Sequence, residues 1–201
     1  EEIGGKMPSR KINIYEWVLI GVVILCIFLI VLQSLVLTGY ATEMDTPSNV
    51  TISKYLAISF SENLTEGILF GDISSLPATN TNATHNYDGV GSATTFYVNV
   101  SEDGNTNVDF CLKANAALTN IALDTIGVGN ESYANSTITN SSIPLVGNEV
   151  SFTTSYVKSG ENVAIAGTNY YRFWLDVPVA QPSGNYNNTI SFKGIQTGAS
   201  C

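Results

Sequence analysis

The sequence predicts a long hydrophobic α-helix near the N-terminus followed by an all-β sandwich. Three observations predict it. Val18 to Leu37 holds sixteen Leu, Ile, Val or Phe. No charged side chain lies between Glu16 and Glu43. After Pro47 the apolar residues come in short β-branched and aromatic runs with period-two alternation, separated by Gly, Asn and Pro, which is the pattern of strands and turns.

The helix is long enough to span a bilayer. On the insertion scale each apolar residue contributes roughly −0.3 to −0.6 kcal/mol, so the run favours hydrocarbon by on the order of 5–10 kcal/mol before Gln33 and Ser34 count against it. Trp17 to Tyr40 would extend about 36 Å as a helix, beyond the roughly 30 Å hydrocarbon layer. A cleavable signal has an apolar region of about 7–15 residues and a small-residue cleavage site, which fits less well. Arg10 and Lys11 precede the run and Glu43 and Asp45 follow it, so the basic end is expected in the cytoplasm and the chain beyond about residue 41 outside. Tyr15, Trp17 and Tyr40 mark its two ends as interfacial aromatics do. The expected organisation is a polar segment over 1–16, a hydrophobic helix over 17–46 that anchors in a membrane or builds a filament core, and an extracellular β domain over 47–201.

The strands expected in that domain are Val50–Ser61, Gly67–Phe70, Thr94–Ser101, Val108–Lys113, Ile121–Thr125, Val150–Val157, Asn169–Val177 and Asn188–Ile195. Eight short strands in one domain describe an immunoglobulin-like sandwich or a related Greek key. Phe173 and Trp174 alternate faces, so one of them should anchor the core. Residues 72–92 and 127–148 are polar and Asn-rich and read as long exposed loops.

Charge excludes one class of partner. The chain carries 17 acidic and 8 basic residues, a net charge of −9. After Glu16 there are five Lys or Arg against fourteen Asp or Glu, too few cations to clamp phosphates, so nucleic acid is not expected as a partner. Of the three cysteines, Cys26 lies in the apolar run and reads as a small hydrophobe. Cys111 and Cys201 are the thiols left outside, where an oxidising compartment would let them pair. That bridge would close a loop of about ninety residues, worth roughly 4–5 kcal/mol in the chain-entropy account. Asn-x-Ser/Thr triplets occur at Asn49, Asn63, Asn82, Asn99, Asn130, Asn135, Asn140 and Asn187. Chance predicts about four for this composition, so N-glycans are expected on several of them.

Catalysis is not expected. His85 is the single histidine, which excludes a His₃ or Cys₂His₂ zinc site and leaves a nucleophilic triad one candidate base. No Gly-rich phosphate loop follows a strand and opens a helix, and no cofactor is implied. Asp103, Asn105, Asn107 and Asp109 alternate as calcium ligands do, but Val108 and Ala114 occupy the positions where the calcium loop needs Gly and Glu. A hairpin turn between Val100 and Val108 accounts for Asp-Gly-Asn without metal.

The stretch "RKINIYEWVLIG" resembles the start of a type IV pilin or archaellin-type subunit of archaeal surface filaments. In that family a basic residue precedes the processing point and a Glu is fifth in the mature chain. Cleavage after Lys11 would make Glu16 that residue. The resemblance implies that the helices bundle into a filament core while a β domain faces outward, making the chain a homopolymer that waits in the membrane before assembly. The assembly residues would be Glu16, Trp17, Ile20, Ile24, Ile27 and Val31, with Glu16 paired to a neighbour's amino terminus or to Lys11 once desolvated. Two alternatives stay open: a filament whose subunits lend an N-terminal segment to a neighbour's sheet, and a single-span membrane-anchored binding or adhesion protein.

Overall fold

A computed structural model describes residues 13–36, 49–53, 55–87 and 91–201, with side chains of the helix described to residue 32. Tyr40, Glu43, Asp45, Arg10 and Lys11 lie outside the described residues. The chain divides into two units, Glu1–Thr51 and Ile52–Cys201.

The first unit contains α1, Ile14–Val36. It starts three residues before Trp17, and the cause is local. The Asn13 carbonyl accepts the amides of Glu16 at 2.8 Å and Trp17 at 3.3 Å, while the Asn13 amide donates to Glu16 Oε2 at 3.2 Å. Glu16 therefore closes one half of a capping box around the first turn. At 1.5 Å per residue, the 23 residues of α1 extend about 35 Å. The stretch Ile14–Leu32 is long and apolar enough to cross a membrane.

The second unit is antiparallel β structure. Its strands are β1 Ile58–Phe60, β2 Ala78–Asn82, β3 Phe96–Val100, β4 Val108–Ala114, β5 Leu118–Thr119, β6 Thr125–Ile126, β7 Glu131–Ser136, β8 Val150–Ser151, β9 Val157–Val163, β10 Thr168–Val177 and β11 Ile190–Gln196, with a short helix α2 at Glu62–Glu66. One sheet runs β1-β3-β10-β7-β8, with β2 added to the far end of β10; a second runs β11-β4-β9; β5 and β6 form a small ribbon. Phe96, Val98, Tyr133, Tyr171 and Phe173 of the first sheet share one core with Val108, Phe110, Leu112 and the partly buried Phe192 of the second. Aromatic edges interlock there: Phe96 meets Phe173 at 5.2 Å and Tyr171 meets Phe192 at 5.4 Å between ring centroids, distances favourable for edge-to-face pairs. Gly194 lets β1 close over β11, since a Cβ there would stand 2.9 Å from Ile58 Cγ2.

Several expected elements differ. The 127–148 stretch, read as an exposed loop, contains β7, a neighbour of the longest strand, registered from Tyr170↔Ser136 to Leu175↔Glu131. The 72–92 stretch contains β2, paired with β10 through Trp174↔Asn82 and Val177↔Ala78. Both strands are polar because their outer positions face loops or solvent, so alternation alone hid them. Gly67–Phe70 is irregular and forms no strand. In Ile121–Thr125 only Thr125 is in a strand; the remainder is the turn joining β5 to β6. Of the described residues in Val50–Ser61 only 58–60 pair, against β3. Val150–Val157 is broken into β8 and the first residue of β9, and β9 continues to Val163. The Val100–Val108 connection is no hairpin, because β3 and β4 belong to different sheets.

Phe173 and Trp174 are both buried, although one was expected to be. Period-two geometry puts Phe173 on the shared core and Trp174 on the opposite face with Arg172. That second face is covered because Arg172 donates to the carbonyls of Pro144 at 3.1 Å, Ser92 at 3.0 Å and Asn140 at 2.5 Å. Its guanidinium also stacks 4.5 Å from the Tyr87 ring. Arg172 thus fastens both Asn-rich stretches over β10.

Candidate functional site

Two surfaces carry the functional argument: the apolar stem of the first unit and an open groove in the second. Along α1, Trp17, Ile20, Ile24, Ile27 and Val31 recur at three- and four-residue steps and so form one stripe. All five are exposed. So are Val18, Leu19, Val22, Val23, Leu25, Phe28, Leu29, Ile30 and Leu32 around the rest of the circumference, and the free thiol of Cys26. The stripe is therefore not set apart from the other faces; the whole cylinder is apolar. A helix hydrophobic all round belongs in lipid or in a protein core.

The groove has a volume of about 910 Å3. Leu118, Ile126, Leu175 and Val177, which form a second buried cluster, line it together with irregular walls at 67–74 and 181–189. Glu131 also lines it and is 3 % exposed. Burial pushes its carboxyl up to about 7, against the opposing hydrogen bond from Asn188 Nδ2. A second buried acid behaves oppositely. Burial raises Asp109 too, but the Asn162 amide at 2.7 Å, the Lys158 ammonium at 2.9 Å and the Gly198 amide at 3.0 Å outweigh it and hold the group at about 2. Charge-assisted hydrogen bonds favour the ionised form, whereas desolvation with one neutral donor favours the acid. Neither residue stood out in the sequence: Glu131 lies in polar "GNESYANS", and Asp109 read as one of four alternating oxygens.

Those four oxygens serve separate partners. Asn105 accepts the Tyr55 amide and donates to the Ser53 carbonyl, Asn107 donates to Asn162, and Asp103 is exposed. Among the described residues no group of three or more His, Cys, Asp or Glu converges. His85 lies edge-on to Phe96 at 5.7 Å, with its Nε2 3.7 Å from Glu66.

Cys111 and Cys201 form a disulfide with Cα atoms 5.9 Å apart, tying the C-terminal residue to β4 across 90 positions. Lys193 reinforces it by donating to the Cys201 carbonyl at 3.0 Å. Of the triplet asparagines, Asn49, Asn82, Asn135, Asn140 and Asn187 are exposed and Asn63, Asn99 and Asn130 half-buried. Asn63 Nδ2 donates to Thr95 Oγ1 at 2.5 Å and Asn99 Oδ1 accepts from Thr168 Oγ1 at 2.8 Å. Asn135 Nδ2 reaches Asn169 Oδ1 at 3.3 Å. No protein family, curated protein or solved structure matches the chain.

Proposed function

We propose that the chain is a structural subunit of an extracellular surface filament. The apolar helices of many copies form its core, and the β units, glycosylated and read as immunoglobulin-like sandwiches, form its outer shell. One observation carries the reading: α1 exposes large apolar side chains on every side, and water around them is costly at roughly 25 cal/mol per Å². Sister helices supply the missing cover as lipid does, so the subunit resides in the membrane before assembly and in the polymer after it. The resemblance of "RKINIYEWVLIG" to filament subunits favours sister helices as the final surroundings. Neither catalysis nor a cofactor enters this reading.

The second reading is a single-span surface protein whose helix stays in lipid and whose β unit binds or adheres. Negative-stain microscopy of the surface fraction with N-terminal mass spectrometry separates the two. Fibres containing this chain, with a mature end near Ile12, are the expected result. Dispersed single molecules whose helix touches only lipid or detergent overturn the filament and leave the anchored module.

A further inference from the structure

The groove of the β unit runs beside an unguarded sheet edge. The second sheet has two edge strands, β9 and β11. β9 is defended: it carries Lys158 and Glu161, and its register against β4 shifts on either side of Phe110. Charges and bulges of this kind keep an edge from pairing with another chain. β11 has neither at the groove. It pairs with β4 in unbroken register from Ile190↔Ala114 to Gln196↔Val108. The Asn115 amide donates to the Thr189 carbonyl at 2.9 Å and the Thr197 amide to the Asn107 carbonyl at 3.1 Å. The odd-numbered residues of β11 therefore turn their backbone groups to β4 and the even-numbered ones turn theirs away. β1 closes over the strand at Gly194. Ile190 and Phe192, which line the groove, are left with amides and carbonyls that meet no hydrogen-bond partner among the described residues.

Beside that edge the groove is apolar on its floor and acidic at its head. Leu118, Ile126, Leu175 and Val177 make the floor. Glu131 is buried at the head of the edge, where Asn188, two residues before Ile190, donates its Nδ2 to the carboxylate. Asp72 is a second acid of the lining, and none of Lys113, Lys158, Arg172 and Lys193 belongs to it. Each of those four cations is engaged elsewhere: Lys113 and Lys193 over the Tyr156 ring, Lys158 with Asp109 and Glu161, Arg172 with three carbonyls. The groups packed around Glu131 bring it no positive charge. Its strand neighbour on β10 is Leu175, the acid next along β10, Asp176, accepts the Asn80 amide, and Tyr186 donates its hydroxyl to the Pro182 carbonyl. A free edge fits an extended backbone, an apolar floor fits alternate side chains of that backbone, and a buried carboxyl without a cation fits a ligand that brings one.

We propose that the groove receives an extended peptide segment of a partner protein, added to the second sheet beside β11, with apolar side chains at alternate positions on the floor and a lysine ammonium against Glu131. Main-chain bonds to Ile190 and Phe192 hold the segment, and the floor and the carboxylate select its sequence. The site belongs to the β unit alone and goes beyond the filament reading, since an anchored surface module would carry it equally.

The probes are fluorescein-labelled octapeptides that alternate threonine with valine, leucine or phenylalanine and carry one lysine on the apolar face. The full chain in detergent micelles is the receptor, with empty micelles as the blank. Anisotropy should show saturable binding of at least one member. Exchanging its lysine for glutamate should weaken binding about tenfold or more. Methylating the amide nitrogens of one alternate set of its residues should abolish binding and methylating the other set should leave it, because only one edge of an added strand meets β11. Leu69→Glu, at an exposed position of the wall, should remove binding from a chain whose near-ultraviolet circular dichroism is unchanged. Glu131→Gln should bind while losing the preference for lysine over glutamate. No saturable binding by any member, equal binding of the lysine and glutamate peptides, indifference to both methylation patterns, or binding kept by Leu69→Glu overturns the proposal.

Discussion

Two stretches rich in large apolar side chains, α1 and β10, meet opposite fates. In β10, Tyr171 to Leu175 are buried without a break, Phe173 against the facing sheet and Arg172 and Trp174 beneath loops that the arginine holds down. In α1, every large apolar residue from Ile14 to Leu32 is exposed. The same kind of side chain finds its cover inside the chain in one case and must find it outside in the other. A stable fold and an unmet hydrophobic demand thus coexist in separate units, and perturbations should sort by which unit they touch.

The largest effect should come from a charge in the stem. Ile27→Lys introduces roughly 2.5–3.5 kcal/mol against insertion at a helix centre and the same charge would be buried among packed helices. Membrane association and polymer formation should both disappear. The melting transition of the β unit, read by near-ultraviolet circular dichroism, should not move. A lowered transition would break the comparison by showing that the stem supports the β fold.

The reciprocal perturbation is Cys201→Ser. Removing a cross-link that closes 90 positions should lower β-unit stability by about 4–5 kcal/mol in the chain-entropy account. Denaturant midpoints with and without reductant measure it: the native chain should fall to the level of the variant, while insertion of the stem stays intact.

What the sequence discloses follows the same division. α1 is legible because its signal is additive: sixteen bulky apolar residues need no partner to be recognised. Its start lies three residues before Trp17, Asn13 and Glu16 being an N-cap pair inside a polar segment, and the expected end at residue 46 lies outside the described residues. β3, β4, β10 and β11 are legible because they alternate and end at turns. β2 and β7 are not, since "ATNTN" and "ESYANS" gain strand character from pairing with β10, a long-range condition that local composition does not carry. The groove was hidden for a related reason. Its floor joins Leu118, Ile126, Leu175 and Val177 from distant strands, and Glu131 becomes unusual only once they surround it. Arg172, a cation among the apolar residues of "YYRFWL", is the one signal in the sequence from which a second covered face could be read.

Acid and base should sharpen the contrast within the β unit itself. Glu131 titrates at about 7 when folded against 4.5 for an ordinary glutamate, because burial disfavours its charge. Its stabilising contribution is present in full below pH 4.5 and is lost as pH rises through 7, on the order of 3 kcal/mol. Asp109 titrates at about 2 against 3.8, so its contribution is present above pH 3.8 and lost as pH falls through 2. Stability should therefore peak near pH 4, and Glu131→Gln should flatten the alkaline limb alone. Denaturation midpoints taken from about pH 2 to about pH 9 report both limbs; an alkaline limb unchanged in the glutamine variant would remove Glu131 as its origin.

The smallest effect concerns Glu16, which has two separable properties. Its carboxylate accepts the Asn13 amide and holds the first turn of α1; its charge, by resemblance, would be paired in an assembled filament. Glutamine keeps an acceptor for the capping box and discards the charge, whereas alanine discards both. Loss of the cap should cost about 0.5–2 kcal/mol, visible as amide exchange in the first turn for Glu16→Ala and not for Glu16→Gln. If the charge serves assembly, both variants polymerise poorly with the β unit intact. If Glu16→Gln polymerises as the native chain does and Glu16→Ala alone is slowed, the residue acts on the stem by ending the helix at Asn13, and the demand of α1 for outside cover is met without any ionic help.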